Sequence, residues 1–215
     1  MQRAHGLSIP ETLEEVCDPA RMALLVYDMQ VGILGQIPDA AAVTANVVRV
    51  LGAARDAGVR VLFSRHLSLP RELMGVFQLR TAMAWQRVRS VDDVHPWFLR
   101  GTPGLEIVPE IAPLDREGVF DKITMSAFEG TWLDIALRDC ATTAVAVVGV
   151  ALEVGVEPTV RHAADLGYIP VVVADACGAG NREAAERSLA ALRFTGDALL
   201  TDTDTLCGIL SARGR

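Results

Sequence analysis

"TAVAVVGVALEVGVEPTVRHAADLGYIPVVVADA", residues 143–176, holds two near-continuous apolar runs joined by a Gly-bearing turn and a polar-patterned stretch ending at Gly167. Short apolar runs bounded by turn residues read as strands covered on both faces. Two such strands joined through a helix make a parallel βαβ unit. The pattern repeats outward. "MALLVYD" (22–28), "VRVLFSR" (59–65), "GVFDK" (118–122) and "DALLTD" (197–202) are further strand candidates, alongside 143–150 and 169–176. Helical spacing appears at 39–57, which stops at Gly58, at 129–139 after Ser126, at 155–166, and at 181–194, where Asn181 is a natural N-cap and Gly196 a stop. The expectation is an α/β protein with a parallel sheet wrapped in helices.

At 215 residues with 51% apolar composition, the chain can bury one sizeable core, and a single domain over 1–215 is expected. Its net charge is −7 and its arginines are scattered, so no basic patch for nucleic acid is expected. The first residues carry no long apolar stretch of the secretory kind. No run approaches the roughly 18 to 20 apolar residues of a membrane span. Cys17, Cys140, Cys177 and Cys207 form no CxxC pair, which favours reduced thiols and a cytoplasmic location. Cys140, just before a strand, is expected to pack. His5, His66, His95 and His162 show no metal-ligand spacing, and no metal or cofactor is expected.

The interval 66–117 is long for a connection between two strands. It contains "PRELMGVFQLRTAMAWQRV" (70–88), which reads as largely helical, and then several prolines. Such an excursion serves either as a lid or pocket wall or as a surface insertion that merely packs.

In parallel sheets, ligands bind beyond the carboxyl ends of the strands. Asp28, Lys122 and the turn from Ala151 to Gly155 all fall there. Asp28 closes a hydrophobic run, either as a functional carboxylate or as one satisfied by loop amides. Lys122 is the sole lysine of the chain. Lysine shifts its proton affinity more readily than arginine, which makes it a candidate, although chance in an arginine-rich chain gives the same count. The turn stands before a helix, where free N–H groups favour developing negative charge. His66 is either a substrate or proton contact or a solvated loop residue. Trp85 and Trp97 either stack on a ligand or pack. Cys177 has no base beside it and is not expected to act as a nucleophile.

Together "ALLVYDMQ", "VLFSRH", "DKITMSAFEGT" and "VAVVGVALEVGVEPTVRHAADLGYIPVVVADA" resemble the isochorismatase-like hydrolase superfamily, in family order over about residues 18–205. The resemblance implies a three-layer α/β/α fold with a six-stranded parallel sheet. Most members are similar amidases with an Asp–Lys–Cys triad. Asp28 and Lys122 match the Asp and Lys; the nucleophile position carries Gly155, and the usual Thr is Leu152. The resemblance also implies a cis peptide at Val150–Ala151 and backbone N–H groups at Ala151 and Gly155 as an oxyanion site. Isochorismatases proper similarly carry Gly at the Cys position. Their Tyr-Ala-His is Ala151-Leu152-Glu153 here, and their substrate-contacting Gln is His66.

The resulting expectation is a hydrolase of a small organic substrate, working by Asp28/Lys122 acid–base chemistry without a covalent cysteine intermediate. The bond is a vinyl ether of the isochorismate type. The alternatives are amide or C–N hydrolysis by Asp28-activated water, and a non-catalytic binding protein that kept the pocket. His66, Trp85, Leu152 and Glu153 are the expected substrate contacts. The resemblance further implies a homo-oligomer, with 66–117 available as a contact.

Overall fold

A computed structural model of the chain describes residues 1–213. Six strands form one parallel sheet: β3 (Met22–Tyr27), β4 (Arg60–His66), β5 (Gly118–Lys122), β6 (Ala144–Val150), β7 (Ile169–Gly178) and β8 (Leu199–Thr201), in the order β5-β4-β3-β6-β7-β8. A separate hairpin, β1 (Gln2–Ala4) with β2 (Leu7–Ile9), precedes them. Every residue of β3 and β6 is buried, as expected of central parallel strands.

Alternate residues of β3 feed two cores, because successive side chains point to opposite faces. Leu24 and Val26 join one cluster with α3 (Ala40–Asp56) and α8 (Thr203–Arg213). Ala23, Leu25 and Tyr27 join the other with α5 (Leu133–Asp139), α6 (Glu157–Asp165) and α7 (Arg182–Thr195). The result is three layers, helices–sheet–helices. Two four-residue helices, α1 (Leu13–Val16) and α2 (Val31–Leu34), complete the first half of the chain. No helix among the described residues is long and apolar enough to cross a membrane.

Strand order reverses between β3 and β6, so the crevice at their carboxyl ends is the topological switch point of the sheet. Gly149 lets these strands approach there. Its φ is +123°, and a Cβ on it would lie 2.8 Å from the Tyr27 carbonyl carbon. Only glycine tolerates both conditions.

Several boundaries differ from the sequence expectation. The helix read from 129 starts at Leu133, because Gly130 turns the chain with φ +72°. The helix read from 155 is preceded by one π-helical turn, Leu152–Val156, and proper α6 begins at Glu157. The 197–202 strand is only Leu199–Thr201. Cys140, expected to pack, is exposed. Within the long excursion, α4 (Val76–Gln86) forms, yet buries none of its residues.

Candidate active site

Asp28 follows β3 in a left-handed conformation, φ +48°, which aspartate tolerates better than most residues. Its N–H faces the Ser64 carbonyl at 3.2 Å, anchoring it to β4. The carboxylate then meets two donors. Ser64 Oγ donates to Oδ1 at 2.6 Å, and Lys122 Nζ donates to Oδ2 at 2.7 Å. Asp28 and Lys122 are each only 3% exposed. Lys122 ends β5, two strands away, and reaches past the end of β4; an unbranched four-carbon stem suits that reach. Its ammonium also donates to the Thr124 carbonyl at 3.1 Å and lies 4.3 Å from the centre of the Tyr27 ring, a cation–π contact. Burial pushes the pKa of the Lys122 ammonium below its ordinary value, opposed by the Asp28 charge.

Tyr27 takes the place that a side chain at Gly155 would occupy. A Cβ built on Gly155 would lie 2.5 Å from Tyr27 Cζ, 2.6 Å from Cε1, and nearer still to Oη. The phenol donates to the Met125 carbonyl. Burial first, and the Asp28 charge second, raise its pKa well above the ordinary tyrosine value, so it is a neutral phenol. Thr159 secures the same corner: its hydroxyl donates to the Gly155 carbonyl at 2.7 Å and accepts from the Ala127 N–H at 3.0 Å. Tyr27 escaped the sequence reading because a tyrosine in an apolar strand reads as core. Ser64 escaped it too, although a lone hydroxyl within "VLFSRH" was a visible signal.

The turn after β6 carries the cis peptide Val150–Ala151. The Ala151 carbonyl accepts from the N–H groups of Gly155 at 2.9 Å, Val156 at 3.2 Å and Val154 at 3.3 Å. The Gly155 amide, expected to face an oxyanion, is therefore spent inside the turn. Ala151 lines the cavity.

That cavity, of about 350 Å³, brings Asp28, His66, Trp85, Ala151, Glu153 and Gly155 together. Leu152 is not among its lining; it is 2% exposed and packs in the core with Tyr27 and Val156. The π-helical turn carries it inward, which a helix read from Gly155 onward did not anticipate. Glu153 is fixed through Oε1, which accepts from the Asn181 N–H at 2.7 Å, while its Oε2 is buried without a hydrogen-bond partner among the described residues. His66 is locked through its backbone by the Gln30 side chain, which accepts from its N–H at 2.6 Å and donates to its carbonyl at 3.1 Å. Burial, and then the Lys122 charge, lower its pKa to about 4, so the imidazole is neutral near pH 7. Trp97 and Phe98, from the excursion, close the wall.

Cys177 does not line this cavity. Its thiol donates to the Val147 carbonyl at 3.6 Å and is pushed up to about 12 by burial. No thiolate nucleophile is available to the site from that position.

Comparison with known proteins gives the chain its relatives. The isochorismatase domain family matches residues 22–204. The ureidoacrylate amidohydrolase RutB of Serratia proteamaculans is 27% identical over 223 residues, spanning 96% of this chain and 90% of that protein. Among solved structures, a cysteine hydrolase from Pseudomonas syringae pv. phaseolicola superposes with a TM-score of 0.78 at 23% identity, covering 91% of this chain and 94% of the other. The N-carbamoylsarcosine amidase of Thermoplasma acidophilum gives 0.68 at 23% identity, covering 86% and 97%. At these identities the two structures speak for the fold.

Proposed function

This chain belongs to the isochorismatase domain family, and we propose that it hydrolyses a C–N bond of a small amide-type substrate, with Asp28 taking the proton of the attacking water. The observation that carries this reading is the fixing of both Asp28 oxygens by donors, Ser64 on one and Lys122 on the other, at the edge of the cavity. A carboxylate held as an acceptor is oriented to receive a proton. Water adds to the carbonyl carbon as its proton passes to Asp28. The C–N bond then breaks as that proton passes to the leaving nitrogen, yielding an acid and an amine or ammonia. Lys122 keeps the charge at Asp28 balanced throughout, and neutral His66 offers a hydrogen-bonding ring to the same space. The amidohydrolase activity named for the Serratia relative supports the bond type.

No covalent enzyme intermediate is part of this route, since the nucleophile position holds Gly155 and its volume is filled by Tyr27. The same absence favours a second reading, vinyl-ether cleavage, in which Asp28 gives a proton to carbon. Product analysis separates the two: ammonia or amine from a panel of amides and ureido compounds supports C–N hydrolysis, whereas a 2-oxo acid from enol ethers supports the other. In either case Asp28→Asn is expected to cost about 10²–10⁴ in turnover. A protein that only binds shows no turnover on either panel, and an undiminished Asp28→Asn rate removes Asp28 from the chemistry.

A further inference from the structure

A second cavity of about 290 Å³ continues from the first and shares His66, Trp85, Trp97, Phe98 and Met125 with it. It runs beneath α4 and ends among Leu69, Met74, Phe77, Ala82 and Ile123. Among the described residues, no Asp, Glu, Lys or Arg lines this second lobe. In the first lobe the charged lining residues are Asp28 and Glu153, both acids. Lys122, whose side chain is 0% exposed, is paired behind them and offers nothing to an anion. A ligand filling both lobes thus meets carboxylates at its head and an uncharged, largely apolar wall at its tail, with Ser68, Gln78, Thr81, Gln86 and Thr124 as its uncharged polar members.

We infer that the substrate is an uncharged amide with an apolar tail: the C–N group sits at Asp28, and the tail fills the lobe beneath α4. This rests on the C–N hydrolase reading and names its substrate class. A carboxylate on the tail would enter an apolar lobe that offers it no cation, and would lose part of its hydration there. Each methylene buried in the lobe strengthens binding roughly fourfold.

Three probes of graded character test this: acetamide, hexanamide and adipamate, the last replacing the terminal methyl of hexanamide by a carboxylate. Ammonia release is measured for each, and each also competes for a neutral apolar fluorophore, N-phenyl-1-naphthylamine. Hexanamide is expected to exceed acetamide by about tenfold or more in kcat/KM and in displacement, through KM. Adipamate is expected to do no better than acetamide. Equal behaviour of hexanamide and acetamide, or of hexanamide and adipamate, overturns the inference. If no probe releases ammonia, the C–N reading fails, while the displacement order still decides the tail preference. Ala82→Glu, with Ala82→Gln as the uncharged control of equal size, places a carboxylate in the lobe. The Glu variant alone is expected to lose the hexanamide preference; loss in both or in neither overturns the assignment of the tail to this lobe.

Discussion

The Tyr27 ring and the missing side chain of Gly155 occupy one volume: a Cβ at Gly155 would stand 2.5 Å from Tyr27 Cζ. The two residues are 128 positions apart in sequence and are coupled only through the fold, Tyr27 ending β3 and Gly155 opening the way into α6. Restoring a cysteine therefore requires both sites to change. Gly155→Cys alone is expected to lose about 1–3 kcal/mol of stability through overpacking, and the introduced thiol to show little alkylation by iodoacetamide in peptide mapping. The double variant Tyr27→Val/Gly155→Cys is expected to recover stability and expose a thiol beside Lys122 that alkylates readily. Equal alkylation in the single variant would show that the ring yields its place freely.

The Asp28–Lys122 pair is buried on both sides, so removing one partner strands the other charge. Lys122→Met is expected to cost about 3–5 kcal/mol in denaturant unfolding. Adding Asp28→Asn to it is expected to restore a substantial part of that loss, because the uncompensated charge goes too. Additive costs would contradict the pairing.

The Ser64 hydroxyl donates a charge-assisted hydrogen bond of 2.6 Å to the Asp28 carboxylate and accepts from the Asp28 N–H at 3.2 Å. Ser64→Ala is expected to cost about 1.5–3 kcal/mol of stability and to lower kcat more than it changes KM, since the serine orients the carboxylate without lining the cavity. Steady-state kinetics on any accepted substrate check this. A change confined to KM would place Ser64 in substrate binding instead.

His66 supplies a pH dependence whose sign is fixed by its depressed pKa, about 4 in the fold against 6.5 ordinarily. Between those values the unfolded chain binds the proton and the folded chain does not. Stability should therefore fall as pH drops from about 6.5 towards 4, by at most about 1.4 kcal/mol per pH unit from this group. Above that window His66 contributes no slope. Denaturant unfolding across pH, with His66→Gln as the comparison, reads it; an identical slope in both proteins would exclude His66 as the source.

Period and composition made the sheet legible: near-continuous apolar runs marked β3, β4, β6 and β7 close to their observed ends. Glycines and the Asn181 cap fixed α3 and α7 to within a residue or so. Asp28 and Lys122 stood out by position and rarity, and the fold brings them together. Leu152 did not follow its expected path, because whether a turn residue faces a cavity or a core depends on the π-helical winding of that turn. Tyr27 was hidden for a different reason. Its meaning lies in a distance to a glycine with no side chain of its own, and only the assembled sheet and turn define that distance.

Because α4 roofs the apolar lobe while burying none of its own side chains, residues there can be exchanged without repacking the sheet. Under the proposed tail assignment, selectivity and foldability are carried by separate parts of the chain. Under that assignment, new ligand preferences are open to drift along one helix, with the buried Asp28–Lys122 pair untouched.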